Sequence, residues 1–185
     1  MYKRQDEGFV EGVPSQLEWY RYCGHEEAPG LHEGYAGDNV LRYFLTEEKI
    51  VAARAANMPL WFEDKIGQQI RLADLDEVGK GAAFRWRSEG ETGINIITGV
   101  VLRVDPAKFK GRRPDDDLWD PENNLMGIST YCTHFCCIPG YQESNIAQQL
   151  GYWEKMLCTC HFSVYDPYNI VRQEFDMKLP RPEEE

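Results

Sequence analysis

Two short segments concentrate the side chains of this chain that are best suited to bind a metal. The first, CTHFCC, contains Cys132 and His134, and the second, CTCHFSVYD, contains Cys158 and His161. Two thiolates and two neutral imidazoles suit zinc or an iron–sulfur centre, whereas hard cations such as calcium prefer oxygen ligands. The spacing therefore predicts one metal centre held by the two segments together.

The order of these four ligands distinguishes the two candidate metals. Structural zinc sites of the Cys2His2 type usually take their cysteines as one close pair and their histidines as another. Here cysteine and histidine alternate along the chain, which suits a two-iron cluster with thiolates on one iron and imidazoles on the other. Each segment also carries a spare cysteine, Cys137 or Cys160, that a structural zinc site does not need. The pattern favours an iron–sulfur centre, and a zinc-stabilised binding module is the alternative.

The two segments resemble the cluster-binding boxes of Rieske iron–sulfur proteins, whose general pattern is C-x-H followed by C-x-x-H. The presence of both C-T-H-x-x-C and C-x-C-H, with S-x-Y-D after them, is similar to the respiratory, disulfide-containing kind found in cytochrome bc complexes. The resemblance is greatest to archaeal members, haloarchaeal ones in particular, and covers roughly residues 68–182. It implies a single [2Fe-2S] cluster as cofactor.

The resemblance also implies a role for each ligand. The thiolates of Cys132 and Cys158 would bind the buried iron, and the imidazoles of His134 and His161 would bind the outer iron and expose their other ring edge. Replacing two thiolates by neutral imidazoles removes negative charge from the cluster, which raises its reduction potential. An imidazole on reduced iron regains proton affinity, so the two histidines would be the catalytic residues that couple electron transfer to proton transfer.

Further residues take roles through the same resemblance. Cys137 and Cys160 would form a disulfide, with Cys137 rather than Cys136 as the partner because it lies five residues after the first ligand. Hydroxyl groups would donate hydrogen bonds to the cluster or its ligands, and a proline segment would cover it; these residues are Ser163, Tyr165 and Pro180. Phe162 departs from the family, where a small residue is usual. The two cysteines left over, Cys23 and Cys136, are either separate buried thiols or a second disulfide.

The implied function is that of a high-potential electron-transfer subunit. It would oxidise a quinol, with menaquinol expected, beside a cytochrome b-type subunit and pass the electron to a cytochrome or a blue-copper protein. The reaction would need the cytochrome b subunit as well, so the chain would be one part of an oxidoreductase. The small Rieske subunit of a molybdenum enzyme such as arsenite oxidase is an alternative, because it also has disulfide-containing boxes.

The composition of the chain limits which partners and which cellular location are expected. The formal net charge of −11 in 185 residues argues against a nucleic-acid surface. No stretch approaches the roughly 20 apolar residues that span a bilayer, so membrane contact would come through a missing anchor or through partner subunits. A stable disulfide would place the protein on the outer face of the cytoplasmic membrane.

The elements that must position the site are predicted to be mainly strands. Residues 1–67 are expected to form a loop-rich N-terminal arm with one short helix at 46–57, where Thr46 takes the N-cap position. Residues 68–185 would form an all-β domain with an antiparallel sandwich or barrel of the Rieske type as its base. The predicted strands lie at 68–75, 82–88, 94–104 and 125–131. A small cluster-binding subdomain would be inserted at about 120–171.

Overall fold

Antiparallel strands dominate the structure, a computed structural model that describes residues 8–10, 23–24, 39–58, 60–87, 96–110, 119–132 and 134–169. The main sheet has five strands in the order β1-β2-β3-β5-β4, and the small sheet has three in the order β6-β7-β8. The strands of the main sheet are β1 (Arg42–Tyr43), β2 (Gly81–Trp86), β3 (Ile97–Arg103), β4 (Trp119–Asp120) and β5 (Leu125–Ser129). Those of the small sheet are β6 (Gly140–Tyr141), β7 (Met156–Cys158) and β8 (Ser163–Tyr165). The chain therefore belongs to the all-β class, as predicted.

The helices in the described part of the chain are short. Helix α1 (Glu47–Ala55) follows Thr46, as predicted, and carries two acidic residues in its first turn, where they complement the helix dipole. Helix α2 (Asn145–Gln149) begins after Ser144, whose hydroxyl accepts the N–H of Ala147 at 3.0 Å. Single 3-10 turns lie at Glu63–Lys65, Leu72–Asp74 and Pro106–Lys108.

The core of the main sheet follows from the two longest strands. β2 pairs with β3 over six residues, from Gly81 opposite Leu102 to Trp86 opposite Ile97. Phe84 and Trp86 lie two positions apart, so their side chains face the same side of the sheet. Both side chains are fully buried. β3 is rich in β-branched residues and pairs on its other edge with β5. The predictions of strands at 82–88, 94–104 and 125–131 are confirmed by β2, β3 and β5, and residues 88 and 94–95 lie outside the described part of the chain.

The predicted strand at 68–75 is wrong. Gln69 and Arg71 make only isolated bridges, and Leu72–Asp74 forms a 3-10 turn. The carboxylate of Asp74 accepts the Arg71 N–H at 3.3 Å and the Tyr43 hydroxyl at 2.9 Å. A side chain that satisfies a nearby backbone N–H offers the chain an alternative to a sheet ladder. The alternation of apolar and polar residues in this segment therefore does not produce a strand.

Part of the segment predicted as an arm contributes to the main sheet. β1 pairs with β2, and Tyr43 is fully buried among the core side chains. Val10 also lies in this core and accepts the Leu41 N–H at 2.9 Å. Within the described ranges there is no helix long and apolar enough to cross a membrane.

Polar contacts join the small sheet to the main sheet. The Tyr141 hydroxyl on β6 donates to the Gly79 carbonyl at 2.7 Å, and the Glu143 carboxylate accepts the Gly81 N–H at 2.5 Å. Glu154, which is buried, accepts hydrogen bonds from the Lys108 ammonium at 2.9 Å and from the Tyr168 hydroxyl at 2.7 Å. These contacts, called the seam below, involve residues of the small sheet and of the segments that flank its strands.

Candidate metal centre

Two loops carry the four predicted ligands. The first site loop begins at Cys132, shortly after β5 ends, and reaches Pro139. Inside it the Cys132 N–H donates to the Cys137 carbonyl at 2.7 Å, and the Cys136 N–H donates to the Cys132 carbonyl at 3.0 Å. Cys136 adopts a φ of 56°, a left-handed conformation that turns the chain back on itself.

The second site loop is the tight connection between β7 and β8. Cys158 is the last residue of β7 and lies opposite Ser163, the first residue of β8. Phe162 adopts a φ of 59° within the turn. The sheet register therefore places the predicted ligand Cys158 and the predicted donor Ser163 on neighbouring strands.

Two disulfides bind these loops. Cys137 is joined to Cys160, which links the first site loop to the second, and Cys23 is joined to Cys136, which links residue 23 to the first loop. The pairing of Cys137, rather than Cys136, with Cys160 is the one that the family resemblance implied. Of the two alternatives for Cys23 and Cys136, the structure shows the disulfide.

The remaining two cysteines are free and buried. Cys132 is 1% exposed and Cys158 is 0% exposed. The Tyr165 hydroxyl lies 2.9 Å from the Cys132 sulfur, and the His134 N–H donates to the same sulfur at 3.4 Å. Tyr165 is thus a direct neighbour of a predicted ligand sulfur.

The electrostatic environment of Cys132 favours a thiolate. Burial alone would raise the pKa of this thiol, but hydrogen bonds from the Tyr165 hydroxyl, from the backbone N–H groups of His134 and Phe135, and with the Cys158 side chain lower it below its usual value. The hydrogen bond between the Cys132 and Cys158 side chains also shows that the two free sulfurs are neighbours. Metals bind the thiolate form of cysteine, so this environment prepares Cys132 as a ligand.

The two histidines lie on the exposed side of the loops. His134 and His161 are both exposed, and their ring centroids are 4.7 Å apart in an edge-to-face arrangement. The ring of Phe135 packs 4.3 Å from that of His134 and is 68% exposed. Phe162, next to His161, is 76% exposed. The structure therefore combines two neighbouring buried sulfurs with two neighbouring exposed imidazoles.

A second grouping of sulfurs overlaps this arrangement. The sulfurs of Cys137, Cys158 and Cys160 all lie within 4.8 Å of one another and could hold a metal ion. A sulfur in a disulfide is not a thiolate, however, so with the Cys137–Cys160 bond intact only Cys158 of this group is available. The intact protein therefore offers Cys132 and Cys158 as its free thiols.

One predicted site residue and two further histidines lie outside the described residues. Pro180, predicted to cover the cluster, lies outside them, as do His25 and His32, the other histidines of the chain. Sequence reasoning overlooked Phe135, although an aromatic residue directly after a ligand histidine could have indicated an apolar rim.

Comparisons with known proteins add no relative. No family model matches the chain. Neither the curated proteins nor the solved structures give a match. The family resemblance therefore depends on the two cysteine- and histidine-containing boxes alone.

Proposed function

We propose that the two site loops hold a Rieske-type [2Fe-2S] cluster and that the protein transfers electrons from a quinol to a cytochrome or blue-copper acceptor. One observation carries the proposal: two buried thiols that are neighbours, and two exposed imidazoles that are neighbours, come from two loops joined by a disulfide. This division into an inner sulfur side and an outer nitrogen side suits a cluster with chemically different irons.

The donor set fits such a cluster. Cys132 and Cys158 would bind one iron, and His134 and His161 would bind the other. When bound, the cluster would supply one-electron chemistry at a potential raised by its two neutral ligands. The Tyr165 hydroxyl supports Cys132 from 2.9 Å and would raise the potential further by stabilising added negative charge on the sulfur.

The exposed imidazoles suit an exchange of protons together with electrons. A ligand histidine that presents its free ring edge to solvent can release and regain a proton at that nitrogen. A quinol gives up both protons and electrons on oxidation, so an exposed histidine pair matches its chemistry. Exposed apolar side chains lie in the same two segments as the pair, namely Phe135, Phe162 and Val164, and the Phe135 ring contacts both imidazoles. This rim would pack against an apolar partner surface such as the quinol pocket of a cytochrome b-type subunit.

The two disulfides support a location outside the reducing cytosol. We propose the outer face of the cytoplasmic membrane, where a quinol-oxidising complex could present its substrate to this site. The net charge of −11 suits a basic region on the electron acceptor.

Zinc is a second candidate, favoured by the grouping of Cys137, Cys158 and Cys160 within 4.8 Å. Zinc accepts thiolates and imidazoles alike and could bind the three sulfurs if the disulfide were reduced. Structural zinc sites are normally closed, however, and the exposed histidine pair is not needed for that purpose. The iron–sulfur proposal therefore accounts for more of the site.

A redox titration of the purified protein over a range of pH tests the proposal. We expect a one-electron couple in the upper part of the Rieske range, about −150 to +300 mV, with a potential that falls as the solution becomes alkaline. The fall would arise because reduction takes up a proton at the exposed imidazoles. If the potential stayed constant up to strongly alkaline pH, reduction would take up no proton. The proposal of quinol oxidation would then give way to simple electron transfer. A colourless protein with stoichiometric zinc and no redox couple would overturn the iron–sulfur proposal.

A further inference from the structure

A cavity of about 290 Å3 lies between helix α1, the strands β2 and β3 of the main sheet, and the segment 138–143 that follows the first site loop. This volume is close to the lower limit of typical small-molecule sites, about 300 Å3. Its walls are mainly apolar and include partly exposed side chains that a ligand could cover, among them Phe44, Leu45, Leu60, Ala83 and Ile138.

Lys49 places a cation in this apolar surrounding. It lines the cavity from helix α1, on the same helix face as Ala53 one turn later. Its ammonium makes one long contact, 3.5 Å to the Ile138 carbonyl, and among the described residues it forms no ion pair. Burial lowers the pKa of Lys49. An ammonium held in partly apolar surroundings is stabilised by an anion, because a partner offsets the cost of desolvation.

The acid of the cavity does not serve as that partner. Glu143 also lines the cavity, but its carboxylate accepts the Gly81 N–H at 2.5 Å. Burial raises the pKa of Glu143 to about 7, so the group is partly neutral near neutral pH. The Glu143 carboxylate is thus already hydrogen-bonded within the seam. The Lys49 ammonium has three N–H donors and makes one long contact.

We propose that this cavity binds a small carboxylate with an apolar body. The carboxylate would pair with the Lys49 ammonium, and the body would cover the side chains of Leu60, Ala83 and Ile138. Such a ligand combines the apolar fill and the single fixed polar contact that are typical of small-molecule sites. The proposal stands on the cavity alone and does not depend on the metal centre.

Calorimetric titration of the purified full chain with octanoate and with benzoate tests the proposal. At about 0.15 M salt the screening length is about 8 Å, so the net negative charge of the protein weakens binding little. We expect at least one of the two acids to bind at millimolar concentration or below. We also expect Lys49→Met to weaken its binding about tenfold or more, because a charge-assisted hydrogen bond is lost.

Three controls separate the cavity from general effects. Arg54→Met, which removes an exposed charge from the same helix outside the cavity lining, should leave the affinity unchanged. The neutral amide of the acid that binds should bind wild type and Lys49→Met equally. Ala53→Leu, which fills part of the cavity, should weaken binding of acid and amide alike. Failure of both acids to bind, or equal affinity in wild type and Lys49→Met, would overturn the proposal.

Discussion

The main sheet and the small sheet are stabilised in different ways. The main sheet buries Tyr43, Phe84 and Trp86 completely and has strands of up to seven residues. The small sheet has strands of two or three residues, and the loops beside it expose Phe135 and Phe162. Burial of apolar area is the main stabilising force in the first region. In the second region, an apolar cluster shared with β3 and β5 is supplemented by covalent bonds and by the seam.

This difference explains how the candidate metal centre can be exposed and still be well defined. A site held by its own hydrophobic core would need its apolar side chains inside. Here the disulfide between Cys137 and Cys160 holds the two site loops together, and Phe135 and Phe162 are left exposed. From this comparison we expect some substitutions to lower the free energy of unfolding with little loss of metal, and others to lower metal binding with a smaller loss of stability.

The largest effects are expected from the disulfides. The Cys23–Cys136 bond spans 113 residues and the Cys137–Cys160 bond spans 23. Loop-closure entropy predicts a loss of about 4–5 kcal/mol in unfolding free energy for Cys23→Ala/Cys136→Ala and about 3 kcal/mol for Cys137→Ala/Cys160→Ala. Denaturant titration measures both.

Metal content should change in the opposite order. The Cys137→Ala/Cys160→Ala variant releases the two site loops from each other and should bind far less metal, although it is the more stable of the two. The Cys23→Ala/Cys136→Ala variant should retain most of its metal. Metal retained by Cys137→Ala/Cys160→Ala and lost by Cys23→Ala/Cys136→Ala would contradict the roles proposed for the two disulfides.

A pH effect of about 2–3 kcal/mol is expected at the seam. The pKa of Glu143 is raised by burial from 4.5 to about 7, so the folded state holds a proton that the unfolded state has lost over this interval. Its contribution to stability therefore falls as the pH rises from about 4.5 to about 7. Glu143→Gln keeps an acceptor for the Gly81 N–H and should remove this part of the pH dependence. The exposed Glu122→Gln should not, and equal curves for Glu143→Gln and wild type would show that the carboxylate is not held as described.

Two glycines offer a matched test of packing. A Cβ at Gly99 in β3 would collide with the Phe84 ring and approach the Ile128 carbonyl to 2.8 Å, whereas one at Gly140 in β6 would meet nothing closer than the Gln142 amide at 3.5 Å. Gly99→Ala should cost about 1–3 kcal/mol of unfolding free energy. Gly140→Ala should change it by less than about 0.5 kcal/mol. Thermal and denaturant unfolding compare them, and equal losses would mean that the small sheet is packed as tightly as the main sheet.

The smallest predicted effect concerns the hydroxyl beside Cys132. Tyr165→Phe removes the group that lies 2.9 Å from this sulfur, so the reduction potential should fall by about 60 mV, or ~1.4 kcal/mol for one electron. In the metal-free protein the pKa of the Cys132 thiol should rise, since this hydrogen bond lowers it. Tyr152→Phe, a control outside this contact, should change neither quantity. An unaltered potential in Tyr165→Phe would show that this hydroxyl does not act on the centre.

The sequence predicted β2, β3 and β5 of the main sheet because their signals are local, whereas the two-residue strands β1 and β4 were not predicted. The Ile- and Val-rich run at 94–104 indicated β3, and Thr46 with the acids after it indicated α1. The segment 68–75 misled because its alternation is that of a strand. Its conformation is set by Asp74, which bonds to Arg71 nearby and to Tyr43 far away in the chain. Periodicity cannot reveal contacts of this kind.

In the candidate site, too, local features could be predicted from the sequence and long-range contacts could not. Spacing singled out the four predicted ligands, because metal-binding residues are of few types, and the structure places these four on two neighbouring loops. The seam could not be found, because Glu143 and Gly81 are separated by 62 positions and neither residue type indicates such a contact. The cavity beside Lys49 likewise arises only when helix α1 and the segment 138–143 meet in space.

Pulsed EPR of the reduced protein, with and without nitrogen-15 labelling of histidine, tests the central claim most directly. If the two site loops bind a cluster through His134 and His161, the reduced protein should give the signal of a [2Fe-2S] centre with couplings from two histidine nitrogens. His161→Ala should abolish these couplings or the centre itself. A colourless, EPR-silent protein, or an iron–sulfur signal with no histidine coupling, would contradict the account.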